Sequence, residues 1–238
     1  MPRVVLPGGT DVAEVALFSL DALPPKGANS DSVEAMERAG TLVRFPTGSD
    51  GGYLLHAYVD EPIPAEVARY CVEEDPLRSK LSLASGRIGF GGVESASESF
   101  KPNAHIRSDE SITPGEYAVV AYRTEFPDEL ISAAVEARIG GRGQFLLGLP
   151  GYIIPIALLL TVGSYFMAGP VPAIFLIAIT VIGLKFGYYS NPTIKRIQEQ
   201  SDTASLEYPS IVIEMRSNWV IDADPRMKES ASPERAVV

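Results

Sequence analysis

Charged positions stop at Arg142 and resume at Lys185, leaving 42 consecutive uncharged residues dominated by Leu, Ile, Val, Ala, Phe and Gly. A hydrocarbon core about 30 Å thick needs roughly 20 apolar residues of helix, so the run is long enough for two crossings. Its midpoint carries the break Ala168-Gly169-Pro170-Val171-Pro172. The pattern predicts a transmembrane hairpin over residues 143–189, with crossings at 146–167 and 171–189. Neither half shows the polar stripe of a helix packed in a soluble bundle. The run lies too far from the start of the chain to be a cleaved signal peptide. Pro150 is expected in the first turn of the first crossing, where its missing donor costs little, and Pro155 is expected to kink it.

The flanking pattern is different. Residues 1–142 alternate short apolar segments with dense turn chemistry, including Pro7-Gly8-Gly9, Pro24-Pro25-Lys26-Gly27 and the 47–52 loop. Strand character is clearest at 12–20, 42–45, 53–59, 80–84, 87–91, 105–112 and 116–124. Ser85-Gly86 reads as a tight hairpin turn, with Leu81, Leu83, Ile88 and Phe90 pointing inward. Asp31 with Glu34 reads as a capping box for a helix ending near Gly40. Pro127, Asp128 and Glu129 open a second helix reaching Arg138, which leads through Gly140-Gly141 into the hairpin.

Beyond the hairpin, residues 194–199 read as a brief interfacial helix. Pro209 to Arg216 reads as a strand with Ile211, Ile213 and Met215 on one face. An isolated strand is unstable in water, so this one is expected to join the N-terminal sheet, with Trp219, Val220 and Ile221 sealing the contact. The domain plan is therefore a soluble mainly-β domain (1–142), the hairpin, an interfacial segment and docking strand (190–221), and a disordered tail (222–238). The fold class is that of a membrane protein with a β-sandwich or open-barrel cytoplasmic domain, α+β in content.

Charge sets the orientation. Arg138 and Arg142 precede the first crossing, and Lys185, Lys195 and Arg196 close or follow the second, whereas the turn has no charge. The positive-inside rule then places both termini in the cytoplasm and these five residues as interface anchors in the cell membrane. Ser164 with Ala168, and Gly183 with Gly187, form small-xxx-small pairs suited to helix packing, either within the hairpin or between copies. Residues 1–142 carry 22 acidic and 13 basic residues within a chain of net charge −10. That balance argues against nucleic acid and leaves the lipid bilayer, a protein partner or a second copy. A single cysteine, Cys71, excludes an intrachain disulfide and agrees with a cytoplasmic domain.

Candidate chemistry is sparse. His56 and His105 are far apart, each in a strand segment, and lack companions at metal spacing. Glu73-Glu74-Asp75 reads as a solvated loop rather than a cation site, and no metal or cofactor is expected. Gly89-Phe90-Gly91-Gly92 lacks the Lys-Ser/Thr of a phosphate loop, Ser85 has no nucleophile elbow, and Cys71 reads as a half-buried thiol. Tyr53, His56, Tyr58, Tyr117 and Tyr122 lie on two central strands. They form the candidate ligand-binding set, although such residues also fill ordinary cores. The leading expectation is a non-enzymatic binding or sensor module coupled to a membrane anchor. The alternatives are a membrane-perturbing effector that oligomerises through its hairpin, and a membrane-associated enzyme with acidic residues converging on His56 or His105.

Overall fold

The computed structural model describes residues 3–72, 76–101, 103 and 105–217. The alternating segments form strands β1 (Val4–Thr10), β2 (Glu14–Ser19), β3 (Leu42–Pro46), β4 (Gly51–Val59), β5 (Leu77–Leu83), β6 (Arg87–Gly92), β7 (Arg107–Ser111), β8 (Gly115–Arg123) and β9 (Ile211–Ser217). They make two sheets, ordered β1-β4-β9-β8-β5 and β3-β2-β6-β7. The pairings are antiparallel except between β4 and β9, where Ala57 faces Ile213 in parallel register. Leu55, Ile213, Val119 and Leu81 from one sheet and Leu17, Phe45, Ile88 and Phe90 from the other fill a common core, as in a sandwich. Helix α1 (Ser30–Arg38) lays Val33 and Met36 over Ala16, Phe18 and Leu42 on the far face of the second sheet, and a single turn, α2 (Ala65–Ala68), follows β4.

Four local expectations are corrected. Pro7-Gly8-Gly9 is not a loop but part of β1. A Cβ on Gly8 would lie 2.9 Å from the Phe90 ring, and one on Gly9 would collide with the carbonyl of His105. Glycine there permits the two sheets to approach closely, and Gly9 N–H donates to Ile106 O at 3.0 Å across that edge. At the opposite edge Ser82 N–H donates to Gly40 O at 2.7 Å. Ser85-Gly86 is not a hairpin turn, because β5 pairs with β8 and β6 pairs with β2 and β7. It is a corner between sheets, with Gly86 at φ 78° and Asp21 accepting from Ser85 N at 2.8 Å and Oγ at 2.7 Å. Alternation correctly gave the inward faces of Leu81, Leu83, Ile88 and Phe90, but it cannot say whether two inward faces share a sheet. The α1 cap is Asn29 with Ser32, two residues earlier than Asp31 with Glu34. His105 precedes β7 and lies in a turn.

The chain divides into two units, one made of residues up to Glu125 together with those from Pro209 on, the other Phe126–Tyr208. In the latter, α3 (Asp128–Ala168) is interrupted at Gly140, whose φ of 71° and ψ of 162° are not helical. Helix resumes at Gly141, so Pro150 lies in the helix interior with Pro155, not in a first turn. Gly169, at φ 86°, turns the chain into α4 (Pro170–Ile182). A wider π-helical segment, Gly183–Tyr189, follows. Helix α5 (Pro192–Ser205), capped by Asn191, extends well past the brief segment expected at 194–199. Tyr188 Oη donates to Leu146 O at 2.9 Å, with Leu147 O at 3.1 Å, which sets the end of the second long helix beside the start of the charge-free part of α3. Two helices, Asp128–Met167 and Pro170–Tyr189, are long and apolar enough to cross a membrane, and almost none of either is buried within the chain. Trp219, Val220, Ile221 and the tail from Asp222 lie outside the described residues.

Two outcomes follow from this packing. Ile213, fully buried in the middle strand, should cost about 2–5 kcal/mol when changed to Ala, read as faster hydrogen exchange at β4 and β8 amides. The Ser85 hydroxyl, then its amide, hold the Asp21 carboxyl below its ordinary 3.8. A depressed carboxyl contributes stability above the unfolded value and loses it as pH falls below. Asp21→Asn should therefore flatten the fall in thermal midpoint measured below about pH 4.

Candidate functional site

The strand ends that meet at one end of the sandwich enclose a pocket of about 470 Å³, within the range of small-molecule sites. Phe45 from the end of β3, Leu77 from the start of β5, Ala121 from β8 and Ile211 from β9 give it an apolar floor. Tyr53, Tyr122, Arg78 and Arg123 also line it. Each is placed by register: Leu77 faces Ala121 across β5–β8, and Arg123 faces Ile211 across β8–β9.

The pocket hydroxyls are already committed. Ser210 Oγ donates to Leu54 O at 3.1 Å and accepts from Leu54 N at 2.9 Å. Thr47 Oγ1 donates to Ser49 O at 3.0 Å, Tyr53 Oη donates to the same carbonyl at 2.7 Å, and Thr124 Oγ1 donates to Pro209 O. Thr124 N–H also donates to Ser210 O at 3.2 Å, holding the last residue of the β8 arm beside the first of the β9 arm.

Of the five residues singled out by sequence, only Tyr53 and Tyr122 reach this pocket. Side chains alternate across a strand, so Tyr53 and Tyr117 project into the sandwich whereas His56, Tyr58 and Tyr122 project from the other face of the same sheet. Tyr117 is fully packed and donates to Thr113 O at 2.6 Å; burial first, and Asp60 second, raise its phenol above 10.0. Burial also raises Tyr58, and the positive charge of Arg3 opposes that shift. His56 is wholly buried. The five therefore do not converge.

His105 lies at a separate depression of about 130 Å³ that Asp11 and Glu94 also line. Glu94 accepts from Asp11 N at 3.0 Å and Thr10 Oγ1 at 3.3 Å, which fixes the β1–β2 corner. The depression is smaller than the roughly 300 Å³ at which ligand sites begin. Among the described residues no three His, Cys, Asp or Glu side chains converge as a metal site. Glu73, Glu74 and Asp75 lie outside the described residues. Cys71 is half-buried, its thiol 3.8 Å from Val67 O.

Arg107 is a feature that sequence reasoning missed. It is 4 % exposed and donates through Nε to Asp109 Oδ1 at 2.7 Å and through one terminal nitrogen to Asp109 Oδ2 at 3.0 Å. The other terminal nitrogen donates to Ser95 O at 2.9 Å and Ser97 O at 3.0 Å. The guanidinium lies over Phe18 at 5.4 Å and Phe100 at 5.9 Å. The two-residue spacing to Asp109 was its only signal, placing both on one strand face. Its role is to tie the segment after β6 to the second sheet.

In the helical unit, Arg138, Arg142, Lys185, Lys195 and Arg196 are exposed, and Lys185 Nζ lies 5.8 Å from the Phe186 ring. A Cβ on Gly183 or Gly187 would meet nothing within 4 Å, so neither glycine marks a close helix approach within the chain. Ser164 is half-buried, and the side chain of Ala168 lies outside what is described. Ala173 is the buried small residue of α4.

No protein-family model matches this chain, and no curated protein sequence matches it. Two solved structures are similar to about half of it. Crocagin biosynthetic gene J aligns at TM-score 0.35 and 17% identity, over 51% of this chain and 75% of its own. ComJ, inhibitor of the DNA-degrading activity of NucA from Bacillus subtilis, aligns at TM-score 0.34 and 12% identity, over 51% and 81%. Similarity at these scores assigns neither fold nor function.

Replacing Arg107 by Met leaves the Asp109 carboxylate and two carbonyls without their donor. The expected loss is about 3 kcal/mol or more in urea unfolding. Arg107→Lys should recover only part, because an ammonium cannot reproduce the planar fork.

Proposed function

We propose that the chain is a membrane-anchored, non-enzymatic binding module, with its β-sandwich in the cytoplasm and its pocket as the receptor site. The observation that carries the anchor is exposure without charge: Leu159 is 73%, Phe166 81% and Met167 91% exposed, inside a 42-residue stretch that holds no Asp, Glu, Lys, Arg or His. Soluble monomers rarely present such a continuous apolar surface, and lipid is the solvent that accepts it. Thr161 and Thr180 donate to the carbonyls of Ala157 and Leu176, each at 2.8 Å, so their hydroxyls carry no unmet demand into hydrocarbon. The Tyr188 contact brings the Arg142 and Lys185 ends of the two long helices together, opposite Gly169, as cytoplasmic anchoring by the positive-inside rule requires.

The binding reading draws support from the pocket, whose size falls in the range of ligand sites and whose lining joins apolar residues to polar side chains from several strands. A second reading, an effector that gathers hairpins to perturb the bilayer, is favoured by one observation: Gly183 and Gly187 face open space within the chain.

The full chain should stay in the membrane pellet after alkaline carbonate washing. In a Cys71→Ser background, Met167→Cys should react with an impermeant maleimide on intact cells, and Ser30→Cys only after lysis. Full-length protein that remains soluble and monodisperse without detergent would overturn the anchor and the sidedness together. Dye release from liposomes carrying the chain would favour the effector.

A further inference from the structure

We propose that the outer edge of β5, beside the pocket, takes up an extended peptide as a further strand, one whose side chains alternate between apolar and acidic. The inference rests on the binding-module reading, with the pocket as receptor site, and adds the class of ligand. It starts from the end of the five-stranded sheet, where β5 pairs with β8 and with no other strand among the described residues. Ser82 N–H turns away from that sheet to reach Gly40 O at 2.7 Å. Hydrogen-bonding direction alternates along a strand, so the backbone N–H and C=O groups of Arg78 and Lys80 point the same way as those of Ser82, away from β8. The opposite edge of the sheet is engaged: Gly9 N–H donates to Ile106 O at 3.0 Å, and Ser108 Oγ donates to Pro7 O. The edges of β3 and β5 meet at Gly40 and Ser82. Farther along, Phe45 to Thr47 on one side and Pro76 to Arg78 on the other border the pocket.

Register fixes what such a strand meets. Leu77 and Leu81 lie opposite Ala121 and Tyr117 on the core side of the sheet. One alternate set of incoming side chains therefore faces the pocket, where Phe45, Leu77 and Ala121 favour an apolar group. Arg78 and Lys80 lie opposite Val120 and Ala118, on the outer side, so the other set runs alongside two bases. Both are exposed, and neither makes an ion pair among the described residues. Glu214, in the same row across the sheet as Arg78, is held by Arg216 at 2.6 Å, and Glu116 accepts from Ser82 Oγ. Opposite charges on neighbouring strands attract and like charges repel. The two bases thus select acidic side chains and disfavour a second copy of β5, which would bring like charges together. Main-chain hydrogen bonds supply the affinity of strand addition, and the alternating side chains supply its preference.

The probes are two end-blocked peptides, EVELEVE and KVKLKVK, with 2-naphthol as a non-peptide probe of the pocket. Each is titrated into the full chain held in zwitterionic lipid nanodiscs, with empty nanodiscs as the blank. EVELEVE should bind about tenfold more tightly than KVKLKVK at low salt, a preference that shrinks as salt rises. N-methylation of alternate amides of EVELEVE should abolish binding for one alternate set and spare the other, because only one set faces the β5 edge. Arg78→Glu with Lys80→Glu should reverse the charge preference and leave 2-naphthol binding unchanged. Binding of 2-naphthol without either peptide would overturn strand addition and leave the binding module standing. Equal affinity of the two peptides, or equal tolerance of the two N-methylated sets, would overturn it likewise. Failure of every probe to bind the native chain would overturn both readings.

Discussion

A strand that arrives after the helical unit, β9, supplies the middle of the five-stranded sheet, and the sandwich depends on it. Without β9 the sheet falls into two separate two-stranded ribbons, β1–β4 and β5–β8, and such ribbons are marginal in water. Its inward residues Ile211, Ile213 and Met215 are buried in the main core, so hydrogen bonding and hydrophobic packing are lost together if it is absent. The parallel pairing of β4 with β9 joins residues separated by the entire helical unit. Such long-range pairing is slow to form because the loop closure comes before the contacts that reward it. β8 ends and β9 begins as neighbouring strands of this sheet, with Thr124 and Ser210 hydrogen-bonded side by side.

That adjacency also explains how a sandwich can host an insertion of about eighty residues. Insertions are tolerated where the two ends lie close at a surface. Here the ends lie at the mouth of the largest pocket described above, and the last residues of β8 and first of β9 contribute to its lining. The position of the site is thus a consequence of where the sheet is interrupted.

Charge is deployed differently in the two units. In the sandwich most arginines are consumed by carboxylates, carbonyls or aromatic faces, and Arg107 shows the extreme form, a buried guanidinium with its donors directed to Asp109, Ser95 and Ser97. Such a site is strongly determined, since removing either side leaves a group without a partner in a low-dielectric interior. In the helical unit the basic residues are exposed and flank a charge-free stretch, a pattern set by the solvent a helix meets rather than by a partner side chain.

Local pattern determined much of this protein. The absence of charge between Arg142 and Lys185 is read directly from the chain, and helices of the right length and apolarity occupy that stretch, because helix formation closes its hydrogen bonds within one segment. Alternation identified most strands and the inward faces of Leu81, Leu83, Ile88, Phe90, Ile211, Ile213 and Met215, since a strand's two faces differ by parity alone. The instability of a lone strand was enough to expect that Pro209 to Arg216 would join the early sheet. Tertiary structure decided the rest. Only the approach of two sheets explains glycine within β1, and only sheet membership distinguishes a corner at Ser85-Gly86 from a hairpin. The pocket of Tyr53, Tyr122, Arg78 and Arg123 is assembled from strands far apart in sequence, and no local periodicity encodes which ends will meet. That information resides in long-range pairing, where the free energy comes from surfaces that exist only once the chain has closed on itself.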